Sequence, residues 1–224
     1  MNEGINVGVD NPNVFIGLKM YIYRFIKRAF DLFVSLIGCL VIVPLMVIVK
    51  LCNMFTGDFS SVFYKQKRIG KNGKFIYIYK FRTMVPNADE VLKELLKKDE
   101  YKKQWKKNQK LDYDPRITKI GKILRKTSLD EIPQFINVLK GDMSLIGPRP
   151  LVEGELDAHG GNHELYESVR PGITGWWAAN GRSCTTYEER LDLEYYYIEH
   201  MGLKIDIKCV FKTITIVFRR TGAK

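Results

Sequence analysis

The feature that most constrains this chain is an apolar run broken by one proline. Leu32 to Val49 is apolar except for Ser35, and Pro44 interrupts it. As a helix these 18 residues reach ~27 Å, barely the thickness of a hydrocarbon core. Pro44 removes one helical hydrogen bond and crowds the turn before it, so a kink or break is expected there. The piece before the proline reaches only ~18 Å and cannot span alone. The run is too long for a signal-peptide core and lacks a clear cleavage site. Basic residues flank both ends: Arg24, Lys27 and Arg28 before, Lys50, Lys65, Lys67 and Arg68 after. Cations favour the cytoplasmic side. A helix that enters, bends near Pro44 and returns keeps both flanks inside; a tilted span with a proline kink leaves one outside.

The rest of the 224 residues is long enough for one globular domain. A net charge of +11 calls for an anionic partner: nucleic acid, acidic lipid or a phosphorylated substrate. No groove-reading helix or module with interleaved exposed aromatics is legible, so a nucleic-acid partner is not expected. Cys39, Cys52, Cys184 and Cys209 form no metal-ligand spacing and read as reduced thiols. His159 and His163 are four apart, but Gly160 and Gly161 lie between them, and no metal site is expected there.

The sequence divides into three parts: an extension over residues 1–22, loose before Tyr21, a membrane helix over 23–52 and a domain over 53–224. Val62–Tyr64 and Phe75–Tyr79 read as strands joined by the Gly70–Gly73 turn. Asn87 to Lys110 reads as one helix, capped by Asn87 with Glu90. Eight lysines fall between Lys93 and Lys110, either on a solvated face or on one lying against anionic lipid. Ile117–Leu124 and Ile132–Leu139 read as further helices. Leu203–Arg220 reads as an amphipathic helix at the interface or a terminal helix packed on the core.

Asp130 and Glu131 are the candidate chemistry. They lie in Thr127-Ser128-Leu129-Asp130-Glu131-Ile132-Pro133-Gln134, where either Ser128 caps a helix with Glu131 closing the box, or Asp130 is the cap. Adjacent carboxylates at a helix start are commonly electrostatic caps. Their neighbours argue for more. Arg125 is five residues earlier, and Arg149 stands between two prolines that stiffen its backbone. Such a fork suits phosphate oxygens, and two carboxylates with phosphate oxygens and water suit Mg²⁺. A structural Arg–carboxylate network fits the same spacing.

Six segments occur in order: Lys27-Arg28 before the broken helix, Tyr79-Lys80-Phe81-Arg82-Thr83-Met84, Ser128 to Gln134, Asn137 to Ser144, Gly147-Pro148-Arg149-Pro150, and Arg170 to Gly175. Together they resemble the monotopic phosphoglycosyl transferases, or bacterial sugar transferases, from about Tyr23 to Ala223. The resemblance implies a mostly helical α/β fold with a small β-hairpin. It implies a re-entrant membrane helix with Pro44 at its break, a catalytic domain on the cytoplasmic face of the bacterial inner membrane, and interfacial amphipathic helices.

The resemblance further implies that Asp130 attacks the β-phosphorus of a UDP-sugar, that Glu131 assists with metal or proton, and that Asp130 and Glu131 hold Mg²⁺. It implies that Lys80, Arg125 and Arg149 bind phosphate, and that undecaprenyl phosphate is the acceptor, with membrane lipids as partners; a homodimer is compatible with it. The sequence departs from many members at Val43, where they have Ser, and at Ala178, where they have Gln. The Pro86–Arg116 segment resembles the larger hexose-1-phosphate transferases, which points to glucose or galactose; their additional N-terminal membrane domain is not expected here. The readings weighed against an enzyme are a non-catalytic membrane scaffold and a membrane-tethered nucleic-acid binder.

Overall fold

The computed structural model describes residues 12–108, 111–181 and 185–219. Residues 1–11 of the extension, Cys184 and the last residues lie outside that set. Helix α1 runs from Pro12 to Phe55. The extension is therefore helical from Pro12 onward, not loose up to Tyr21. Among the described residues this is the one helix long and apolar enough to cross a membrane. It also continues through Pro44, where the sequence predicts a break. Pro44 lies on the exposed side, away from the domain.

One stripe of α1 is buried along its length: Tyr23, Asp31, Ser35, Gly38, Ile42, Val49 and Asn53. Steps of three, four, seven and eight keep these on one helical face. At ~1.5 Å per residue the stripe is ~45 Å long, so α1 packs on the domain throughout. Its other faces expose Phe25, Phe33, Leu36, Leu40, Val43 and Ile48.

The flanking cations are absorbed by the fold. Lys27 pairs with the buried Asp206 at 2.8 Å, and the Tyr23 and Tyr197 hydroxyls donate to the same carboxylate at 2.9 and 2.8 Å. Arg28 donates to the carbonyls of Val138 (2.7 Å) and Leu139 (3.2 Å). Lys50 donates to those of Phe59 and Ser60.

Strands β1 (Phe63–Ile69) and β2 (Phe75–Phe81) form an antiparallel hairpin, longer than the sequence suggests, with Tyr64 opposite Lys80 and Arg68 opposite Ile76. The turn takes shape as expected, with Asn72 at φ 57°. The predicted 87–110 helix is two: α2 (Ala88–Leu95) and α3 (Asp99–Asn108). Asp99 and Glu100 open α3, where acidic side chains favour a new helix start. Asn87 makes no capping hydrogen bond. Next come α4 (Lys119–Lys126), capped by Thr118, and α5 (Gln134–Lys140). Asn137 of α5 accepts from Tyr79 N (3.0 Å) and donates to Tyr77 O (2.8 Å), occupying the open edge of β2.

Strand β3 (Ser144–Ile146) pairs in parallel with β4 (Gly172–Thr174), which lies beyond α6 (His163–Tyr166). The chain closes with α7 (Trp176–Asn180), α8 (Tyr187–Glu199) and α9 (Leu203–Arg219). One core gathers Ile76, Ile78, Val138, Met143, Leu156 and Tyr197. A second joins Ile42 and Val49 of α1 to Val62, Phe81 and Leu124. Cys39, Cys52 and Cys209 are unpaired thiols. His163 lies between Asp157 and Glu167, and His159 stacks on Tyr187.

Candidate active site

The site is assembled where β2 ends against α4. Thr83 O accepts from Thr118 N at 3.0 Å, and Gly121 packs so closely on that carbonyl that a Cβ there would overlap it. This close approach fixes the start of α4. Arg125, one turn beyond Gly121, then reaches Thr83 Oγ1 through Nε at 2.9 Å.

After α4 the backbone reverses at Ser128, which has φ 56° and makes no side-chain cap. A left-handed non-glycine residue is uncommon and carries a strain of order 1 kcal/mol. Leu129–Glu131 follow as a single 3-10 turn, and Pro133 stands at the cap of α5. Neither capping arrangement drawn from the sequence is present; Asp130 and Glu131 lie in the turn before α5. Leu129 packs into the core with Phe81 and Leu124, which orients the two acids that follow it.

The turn sets the acids beside two cations. Lys80 Nζ, from the end of β2, meets Glu131 Oε1 at 2.8 Å. Asp130 is the more buried in effect. Loss of solvent pushes its carboxyl up to about 6, the neighbouring Glu131 charge adds to this, and Lys80 and Arg125 oppose it. A carboxylate held against its preference in this way is a common property of reactive acids. The pair of acids also fits a divalent cation. Two adjacent hard oxygen donors are what Mg²⁺ takes from protein when phosphate and water complete its shell.

Arg149 belongs to a neighbouring cluster. Its guanidinium lies 5.8 Å from the Trp177 ring, and Arg190 lies 4.9 Å from the same ring. Glu155 pairs with Arg190 at 3.2 Å and with Arg68 at 3.9 Å. The bridge between Ile69 and Leu151 ties this cluster to the far end of β1. Alternation puts Tyr64, Gln66 and Arg68 on the hairpin face that carries Lys80. Four residues of strand, ~13 Å, separate the Tyr64–Lys80 pair from Arg68. The structure thus unites Lys80, Arg125, Asp130 and Glu131, and sets Arg149 in a separate cluster beyond the Arg68 end of β1. Glu155 and Arg190 were not read from the sequence, and Thr83 and Arg68 entered it only as a motif member and a basic flank, not as site residues. The period-two pattern of β1 was the available signal for Arg68.

The bacterial sugar transferase family, as a sequence profile, matches residues 22–220. The chain is 45% identical over 201 residues to an undecaprenyl-phosphate galactose phosphotransferase of Salmonella typhimurium, covering 89% of this chain and 42% of that protein. It is 40% identical over 198 residues to the exopolysaccharide production protein ExoY of Sinorhizobium fredii, covering 88% and 87%. A UDP-N-acetylgalactosamine-undecaprenyl-phosphate N-acetylgalactosaminephosphotransferase of Aeromonas hydrophila is 37% identical over 209 residues, covering 91% and 46%.

Proposed function

The chain belongs to the bacterial sugar transferase family, and from that premise we propose that it transfers a hexose-1-phosphate from a UDP-sugar to undecaprenyl phosphate, releasing UMP. The observation that carries the proposal is the Asp130–Glu131 turn with Lys80 and Arg125 against it. A carboxylate oxygen of Asp130 attacks the β-phosphorus. The bond from that phosphorus to the bridging oxygen breaks, and UMP leaves with the electron pair. The hexose-phosphate remains on Asp130 as an acyl phosphate. A phosphate oxygen of the lipid then attacks the same phosphorus and Asp130 departs as a carboxylate. Splitting the transfer in this way replaces one hard step by two easier ones.

Arg125 and Lys80 offset charge on the diphosphate, and the Lys80–Glu131 pair keeps Glu131 beside the reacting carboxyl. Arg149 binds a phosphate from its own cluster. Asp130 and Glu131 would hold Mg²⁺, which supplies charge neutralisation when bound. Galactose is the favoured hexose, since several relatives carry it in their names. The Aeromonas relative, at lower identity, is named for an N-acetylhexosamine.

For placement the reading is re-entrant insertion, with a bend at Pro44 on entering the lipid and the domain on the cytoplasmic face of the inner membrane. The buried stripe that holds α1 to the domain and the apolar faces it leaves exposed support that reading. The reaction belongs at the start of surface-glycan or exopolysaccharide assembly, where bare lipid phosphate is consumed.

The test uses the full chain in nanodiscs with Mg²⁺, undecaprenyl phosphate and a panel of UDP-sugars. Lipid-dependent UMP release, lost in Asp130→Asn, is expected, with a hexose-phosphate adduct on Asp130 detectable by mass spectrometry when lipid is withheld. Release of UDP in place of UMP would overturn the assignment.

A further inference from the structure

Arg149 has no strand to hold it. Strand β3 ends at Ile146; Gly147 N still donates to Thr174 O, and Pro148 O accepts from Gly172 N. Pro148 and Pro150 have no N–H, so Arg149 supplies the one backbone donor of residues 148–150. That donor is met by a side chain from another element. Glu194 of α8 accepts it through Oε1 at 3.0 Å. The carbonyl of the same residue accepts from the Tyr166 hydroxyl of α6 at 2.9 Å. Both peptide units flanking the Arg149 Cα are therefore gripped by side chains, and Pro150 restricts its ψ.

Glu194 is an expensive choice for one backbone hydrogen bond. The residue is 1% exposed. Its second oxygen has no hydrogen-bond partner among the described residues, and lies 3.8 Å from where a Cβ on Gly175 would stand. Burial pushes its carboxyl up to about 7, with Arg149 and Arg190 pulling the other way. Such groups cost of order 1–3 kcal/mol and persist where structure around a site requires them. Arg190, one turn earlier on α8, lies against Trp177 and Tyr187. The same helix thus carries the acceptor and a second cation of the cluster.

We propose that Glu194 is a positioning residue: by holding the Arg149 amide from α8, it fixes the direction in which the Arg149 guanidinium leaves the Gly147–Pro150 segment. The inference rests on the reading of Arg149 as a phosphate-binding residue for its effect on turnover, but the hold itself is independent of that reading.

The comparison is Glu194→Gln, which keeps an acceptor oxygen, against Glu194→Met, which fills the space without one. Hydrogen exchange reads the hold directly, because a peptide spanning Gly147 to Leu151 contains only two backbone amide hydrogens, those of Arg149 and Leu151. Expected in Glu194→Met is at least tenfold faster exchange of one of them, with kcat/KM for UMP release down 10- to 100-fold; Glu194→Gln stays within about threefold on both readouts. In an Arg149→Ala background, Glu194→Met should change kcat/KM less than twofold. Unchanged exchange in Glu194→Met, or an equal loss of activity with and without Arg149, overturns the proposal. If the wild type releases no UMP, the functional reading fails and exchange alone decides the hold. Should Glu194→Met not fold, Tyr166→Phe frees the carbonyl of the same residue and is expected to lower kcat/KM only where Arg149 is present; an equal loss without Arg149 overturns the proposal.

Discussion

Replacing Asp130 by Asn should stabilise the metal-free protein, and by an amount that depends on pH in one specific way. The carboxyl is raised from its ordinary 3.8 to about 6 in the folded chain. Each tenfold change in proton affinity corresponds to about 1.4 kcal/mol. The charged form is therefore disfavoured by about 3 kcal/mol on folding. Between pH 4 and 6 the folded protein holds a proton that the unfolded chain has released. Stability accordingly falls as pH rises through that window and levels off above it. Asn has nearly the same shape and cannot ionise.

The difference between Asp130→Asn and wild type should thus be small below pH 4 and reach about 3 kcal/mol by pH 8. For a chain of this size that is roughly 6–12 °C in apparent Tm. The assay is thermal unfolding in detergent with chelator across pH 4 to 8, at one scan rate for both proteins. A gap that is absent at pH 8, or the same at every pH, would refute the reasoning. Mg²⁺ at pH 8 should narrow the gap, because a bound cation offsets the charge that Asn removes.

Lys80→Met should lower kcat at least tenfold while moving Tm little, since the Lys80–Glu131 pair is partly exposed and such pairs add at most about 1 kcal/mol; a large Tm loss with intact kcat would reverse its role. Gly121→Ala should destabilise by about 3 kcal/mol, because the added methyl meets the Thr83 carbonyl and forces α4 away; urea titration reads it. Ser128→Gly should stabilise by up to about 1 kcal/mol by relieving the left-handed backbone, and lose activity if that turn needs its stiffness to aim Asp130. Asp206→Ala should cost about 3–5 kcal/mol by leaving Lys27 without its counter-charge, with exchange rising in both α1 and α9.

What the sequence made legible was what depends on near neighbours. The apolar run of α1, the Gly70–Gly73 turn and the α4 and α5 segments all follow from local pattern, and the boundaries moved by only a few residues in α4 and α5. Asp130, Glu131 and Arg125 were legible from their spacing and Lys80 from motif resemblance, and the fold brings the four together. The failures share a cause in long-range packing. Ser128 reads as a cap, yet the turn adopts a left-handed residue because Leu129 must enter the core. Lys27 and Arg28 read as a membrane flank, and their partners were out of reach of local pattern: one neutralises Asp206, 179 residues away, and the other covers the carbonyl end of α5. Three-residue strands such as β3 and β4 carry too little pattern to be seen before they pair. Glu194 sits in a helix rich in acids and tyrosines, and only the amide of Arg149 distinguishes it from its neighbours.

The buried network at Asp206 joins α1 to α9, and the long stripe joins α1 to α5, β3 and α4. Apart from the bend proposed at Pro44, a membrane anchor of this kind has no hinge. On the proposed placement, the depth of Asp130 relative to the lipid surface is a fixed dimension of the molecule. The bilayer has to adjust to the protein when the two disagree in thickness, at a cost of fractions of a kcal/mol per Å. Turnover in vesicles should then pass through an optimum in acyl-chain length, as if the helix were a gauge cut for one membrane.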